Sequence, residues 1–198
     1  MLSKPKYKLC KRLGGIYEKC QSQSYAISEA KYRKRVRRRP ASDYGKQLLE
    51  KQKLRFAYGI TEKQLRRYVY EAMKAQDTAQ ALHEVLETRL DNIVYKLGFA
   101  PTRRAARQMV THGHIIVNDR KVKIPSFKVS VGDKVAVREQ SKARTMFAQL
   151  METIKKYKTP EWLKLDDKKL EGELKSKPVY DPAQSMFDLS LVFEFYTR

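Results

Sequence analysis

Cysteine is nearly absent: Cys10 and Cys20 are the only two in 198 residues. Two cysteines cannot build the disulfide framework of a small secreted domain, so a reducing, intracellular compartment is expected. A four-ligand zinc site would need two more ligands nearby, and no histidine precedes His83. Both cysteines are therefore read as small apolar side chains, with no metal. Long apolar runs are missing as well. None approaches the ~20 residues of a spanning helix, and Lys4, Lys6, Lys8, Lys11 and Arg12 interrupt any signal-like stretch. The basic residues spread along the chain instead of lining one amphipathic helix, which weighs against a membrane surface. Catalytic signatures are lacking: there is no Walker-type glycine loop and no G-x-S-x-G. A non-enzyme without cofactor or small-molecule substrate is expected. Acidic residues are scarce, at 22 against 43 Lys and Arg, for a net charge of +21. A soluble domain needs a charge of only ~2–8. The excess repels itself and is best explained by a polyanionic partner.

The chain is organised around the stretch from Glu87 to Glu139, which reads helix, short loop, helix, then strands. Leu82, Val85, Leu86, Leu90, Ile93, Val94 and Leu97 recur at helical spacing and make one continuous stripe. Gly98 stands where a C-terminal cap belongs, and Pro101 disfavours helix at the residue before it. Thr102 is a good N-cap for a second helix, Arg103 to His112. Ala105, Ala106, Met109 and Val110 give that helix an inner face of mostly small side chains. Its outer face is Arg103, Arg104, Arg107, Gln108 and Thr111. Two arginines in a first turn oppose the helix dipole, which favours acids there. An exposed helix start is itself an anion site, so a phosphate clamp is the economical reading. Arg103 and Arg107 are both expected to face outward. Strand alternation follows from His114 to Val117, with Asn118-Asp119 as a hairpin turn and Val122 and Ile124 as the apolar positions of the return strand. Val131-Gly132-Asp133 is another turn, before a strand with Val135 and Val137 inward. His112 and His114 either bind a phosphate or base or are hydrogen-bonded turn histidines. Glu87, Arg89 and Asp91 read as ion pairs or caps within the module.

Before this stretch, Met1 to Pro40 has no clean periodicity and ends in KYRKRVRRRP, a block that orders on a polyanion. Tyr17, Tyr25 and Tyr32 could stack on bases or pack locally. Ser42 or Asp43 caps a helix to about Ala57, closed by Gly59. Thr61-x-x-Gln64 is a capping box that starts another helix. After the module, a helix with Met146, Phe147, Leu150, Ile154 and Tyr157 on one face is expected. Trp162 reads as a core anchor, and Pro178 and Pro182 mark a linker. Leu189 to Tyr196 fits strand or short helix. Its apolar surface suggests docking, onto the N-terminal helices or a neighbouring protein.

The stretch RLDNIVYKLGFAPTRRAARQMVTHGHIIVN resembles the RNA-binding module of the ribosomal protein S-four family. The flanking SDYGKQLLEKQKLRFAYGITEKQLR and the closing VFEFYTR are similar to the bacterial-type protein, so the resemblance covers nearly everything from Ser42 to Arg198. Some relatives carry four cysteines in the N-terminal arm and bind zinc; this chain has Tyr7 where that pattern needs a cysteine. It also lacks a Gly-rich stretch found there in relatives. The resemblance implies a structural constituent of the small ribosomal subunit, in a cytoplasmic ribosome. Such a protein binds small-subunit rRNA, nucleates subunit assembly and contributes to translational accuracy. It also implies contact with the neighbouring ribosomal protein S-five, with the Lys34 to Arg39 run near the mRNA entry channel.

The expected fold is α+β: a mostly helical N-terminal domain with a basic extended arm, plus a small helix-pair-and-sheet RNA-binding module. The expected divisions are an arm at 1–41, a helical rRNA-binding domain at 42–86 completed by 176–198, and the module with its following helix at 87–175. Arg103, Arg104 and Arg107 are the expected clamps, with Gln108, His112 and His114 near them. Tyr44, Lys51, Lys53, Arg55, Gln64 and Arg66 would form a second RNA surface, and Arg37, Arg38 and Arg39 a third in the arm. The competing readings are an RNA-modifying enzyme, such as a pseudouridine synthase, and a stress factor that uses the same module. The enzyme would need a further domain with a catalytic Asp, and the stress factor would not need the arm.

Overall fold

A computed structural model describes residues 7–13, 23–33, 42–142, 147, 150, 154, 159–167 and 169–198. Arg37, Arg38 and Arg39 lie outside them, as do Tyr17, Cys20, Met146, Tyr157 and the side chain of Tyr32. The fold is α+β, in two compact units: Met1–Tyr70 with Asp181–Arg198, and Glu71–Tyr180.

In the first unit, α1 (Lys8–Leu13) and α2 (Gln23–Arg33) precede α3 (Asp43–Ala57). Tyr25 is buried against the Tyr7 ring, centroids 5.6 Å apart, so it packs locally. Cys10 is buried and disulfide-bonded, not the plain apolar side chain expected. The Ser42 hydroxyl accepts the Gly45 N–H at 3.2 Å and caps α3. Next comes α4 (Glu62–Ala72), opened by the capping box: Thr61 Oγ1 accepts the Gln64 N–H at 3.3 Å, and Gln64 Oε1 accepts the Thr61 N–H at 3.4 Å.

The closing segment, open between strand and helix in the sequence, is a helix over Leu189–Thr197. Asp188 caps it by accepting the Leu191 N–H at 3.3 Å. It docks on α3, where Gln47 donates to Glu194 at 2.7 Å and the Tyr44 and Phe195 rings lie 5.8 Å apart. The Tyr196 hydroxyl donates to Glu62 Oε1 at 2.7 Å. Burial alone would raise the Glu62 carboxyl; hydrogen bonds from Lys51 and Tyr196 and the charge of Lys51 outweigh it and hold the group below the usual carboxylate range. Tyr196 moves up, through burial and then its bond to Glu62. Since Glu62 is part-exposed, Tyr196→Phe is expected to cost only about 1 kcal/mol, read as a lower urea midpoint with an unchanged slope.

The second unit holds α5 (Thr78–Glu87), α6 (Leu90–Lys96), α7 (Arg103–Thr111), β1 (Ile115–Val117), β2 (Arg120–Lys121), β3 (Lys134–Val137), α8 (Glu139–Lys142), β4 (Leu163–Asp166) and β5 (Glu171–Leu174). The closing helix is therefore α9. The sheet runs β2-β1-β3-β5-β4, antiparallel throughout, with Ile115 opposite Val137 and Val135 opposite Gly172. Helices α6 and α7 cover it through Leu90, Ile93, Val94, Leu97, Ala106, Met109 and Val110. Trp162 is part-buried against this core, as expected of an anchor, and Phe147, Leu150 and Ile154 are helical and buried in it.

Three features differ from the sequence reading. The apolar stripe is not one helix: it breaks at Thr88 and Arg89. The break is held from afar, because Leu90 N–H donates to Phe127 O at 2.9 Å, Asp91 N–H to Pro125 O at 3.1 Å, and Val129 N–H to Thr88 O at 3.0 Å. The return strand is short, and Ile124 is 59% exposed. The segment at Leu163–Asp166, for which no strand is expected above although Leu-Lys-Leu-Asp alternates, is an edge strand paired with β5. The Asn118-Asp119 turn is as expected, with φ of 47° and 64°, the left-handed pair of a two-residue hairpin.

Candidate nucleic-acid interface

The Thr102 hydroxyl accepts the Ala105 N–H at 3.1 Å and starts α7. No acid occupies its first turn. Its inner residues Ala106, Met109 and Val110 are buried, which fixes the opposite side as the cationic one. Gly113, at φ 72°, ends the helix, and Lys121 folds back so closely that a Cβ on Gly113 would collide with its Cε.

Arg104, Gln108 and His112 are exposed. Arg103 and Arg107 are not simply outward. Arg103 Nε donates to Asn92 Oδ1 at 2.8 Å, and its guanidinium carbon lies 4.7 Å from the Tyr95 ring centroid. Arg107 Nη1 lies 3.7 Å from Asp91 Oδ2. Asp91 is also gripped from inside: Arg89, 2% exposed, donates Nε to Oδ1 at 3.0 Å and Nη2 to Oδ2 at 2.7 Å. Asn92 donates to Glu87 Oε2 at 3.0 Å, and Glu87 lies 3.8 Å from Lys96 Nζ. The interleaved charges at the module start are thus ion pairs within it, and two of the clamp arginines are tied to them. A carboxylate at 103 would face the Asn92 oxygen and one at 107 would face Asp91, so charge reversal there disturbs the interior too.

His114 takes the second of its two readings, a hydrogen-bonded turn histidine, and not an exposed contact. It is 6% exposed, with Nδ1 3.0 Å from Ser141 Oγ and its ring edge-on to Phe147 at 5.9 Å. It packs beneath the surface and leaves His112 as the exposed histidine of the pair.

Of the expected second surface, Lys51 is buried, Lys53, Arg55 and Gln64 are half-buried, and several of them pair within the protein. Lys51 is 8% exposed, with Nζ 2.9 Å from Glu62 Oε1 and 4.3 Å from the Phe195 centroid. Arg55 Nη1 meets Glu62 Oε2 at 3.1 Å, Lys53 pairs with Glu50, and Gln64 serves the capping box. Lys51 and Arg55 thus tie α3 to α4, and Lys51 also lies over Phe195 of α9. Tyr44 and Arg66 are exposed, Arg66 donating Nε and Nη2 to the Tyr70 hydroxyl at 3.3 Å each.

The residues missed in the sequence are Asn92 and Tyr95, which back Arg103, and the exposed hairpin cations Arg120, Lys121 and Lys123. A signal existed for Asn92: it interrupts an apolar stripe shortly before an arginine run, and a buried amide needs partners.

Fold and site together define a small α+β module that presents a cationic helix backed by buried acids. Residues 88–135 match the S4 domain, and residues 1–87 match the ribosomal protein S4/S9 N-terminal domain. The chain is 46% identical over 200 residues to small ribosomal subunit protein uS4 of Roseiflexus castenholzii, covering 98% of this chain and 97% of that protein. It is 47% identical over 166 residues to uS4 of Chloroflexus aurantiacus (82% and 81% covered), and 42% identical over 205 residues to uS4 of Thermus thermophilus (98% and 97%). The chain belongs to the ribosomal protein S4 family.

Proposed function

We propose that this protein is a structural, non-enzymatic constituent of the small ribosomal subunit that binds its rRNA, with α7 gripping the phosphate backbone. The observation that carries this is the arginine face: Arg103 and Arg104 stand at the positive end of α7, and Arg103 and Arg107 are anchored from behind. Fixed guanidiniums match phosphate geometry, and the helix start adds its own N–H groups. Affinity then comes mainly from phosphate contacts and selectivity from the shape of a folded junction. Nothing in the chain favours the RNA-modifying enzyme or the stress factor.

Further elements of the proposal follow from the family. The protein joins the subunit early and nucleates its assembly, it contacts ribosomal protein S-five, and its 34–39 run approaches mRNA at the entry channel. Through these contacts it contributes to translational accuracy.

Filter binding to small-subunit rRNA, with bulk tRNA as competitor across a salt series, tests the core of this. Selective binding that falls linearly in log–log with salt is expected. Arg104→Glu should weaken it at least about tenfold and lower the slope by about one phosphate contact. Its exposed position should leave stability within about 0.5 kcal/mol. Equal loss to tRNA, or an unchanged Arg104→Glu affinity, would overturn the assignment.

A further inference from the structure

Asn92 is the odd residue of α6. It is 1% exposed and is followed by Ile93 and Val94, in a helix that buries an apolar face. A buried amide is costly unless both its ends are satisfied. Here Nδ2 donates to the Glu87 carbonyl at 3.1 Å and to Glu87 Oε2 at 3.0 Å, while Oδ1 accepts Arg103 Nε at 2.8 Å. The orientation is forced. A flipped amide would turn its oxygen on the Glu87 carboxylate and its NH2 on the Arg103 N–H, two repulsive contacts. The relay therefore runs one way, from the buried Glu87 through Asn92 to a guanidinium at the first residue of α7.

We infer that Asn92 is a positioning residue for phosphate binding, fixing the Arg103 guanidinium before RNA arrives. This rests on the reading of α7 as the phosphate-gripping helix. A surface arginine normally loses much rotamer freedom when it closes on a ligand. With Nε held by Asn92 and the guanidinium seated over Tyr95, that ordering is completed on folding. Asp91 cannot substitute, because its oxygens already face Arg89 and Arg107. The predicted ligand is a single phosphate of the RNA backbone at the start of α7.

The test is a double-mutant cycle on the full chain, read by filter binding to small-subunit rRNA over a salt series. Asn92→Ala should weaken binding about tenfold, the scale of one charge-assisted contact. In an Arg103→Ala background the same change should weaken it no further, because Asn92 acts only through Arg103. Equal weakening in both backgrounds would mean a general structural role and overturn the inference, as would no weakening in either. If Arg103→Ala itself leaves binding unchanged, the clamp reading fails first and takes this inference with it. Should Asn92→Ala not fold, Arg103→Lys decides: it keeps the charge but loses the separate Nε donor and the planar fork. A loss of about tenfold supports positioning, and wild-type affinity overturns it.

Discussion

Replacing Asp91 with alanine is expected to lower the unfolding free energy by about 3–5 kcal/mol. The mechanism is the charge left behind. Arg89 is 2% exposed and directs both Nε and Nη2 at the two Asp91 oxygens. Without them a buried guanidinium loses both Asp91 contacts, and its desolvation is less well compensated. Arg107 also loses the carboxylate 3.7 Å away, so rRNA binding should weaken alongside stability. Urea unfolding measures the first effect and filter binding the second. The double variant Arg89→Met with Asp91→Leu should recover part of the stability, because it removes both charges and refills the volume. It should not recover binding, since Arg107 still lacks the Asp91 carboxylate beside it. A loss under about 1 kcal/mol for Asp91→Ala would mean that Arg89 reaches water or another acceptor.

The second large effect lies at Gly172 in β5. A Cβ there would collide with both Cδ atoms of Leu97 and lie 2.9 Å from its Cγ. Leu97 is fully buried between α6 and the sheet, and a close-packed core leaves it nowhere to go. Gly172→Ala should therefore cost about 1–3 kcal/mol, and Gly172→Val more, by overpacking. The diagnostic is the sign of the coupling. Leu97→Ala alone should cost about 2–5 kcal/mol as a cavity. In that background Gly172→Ala should cost much less, because the space it needs has been opened. Additive losses in urea unfolding would show that the glycine is needed for some other reason.

Correct and incorrect expectations divide along one physical line. Ser42, Thr61 with Gln64, and Thr102 were legible as caps because each bonds a backbone group three residues away. Gly113 and Asn118-Asp119 were legible because few residues tolerate positive φ. The inner face of α7 was legible from its spacing. The internal pairing of two residues in the expected second RNA surface was not legible, for the opposite reason. Lys51 and Arg55 look like free cations in sequence, and their partner Glu62 belongs to another helix. His114 looked like half of an exposed pair until Ser141 and Phe147 closed over it.

The sequence by itself determined the charge, the family, and the caps and turns whose hydrogen bonds close within a few residues. Tertiary structure alone decided the break between α5 and α6, where the orphan N–H groups of Leu90 and Asp91 reach carbonyls more than thirty residues on, at Phe127 and Pro125. It decided that the closing segment is a helix, because α3 offers it a face, and that β4 is a strand, because β5 offers it a ladder. It also separated the cations paired inside the protein from those left exposed. A basic residue states its charge in the sequence, but its partner is set by which acid the fold brings within reach.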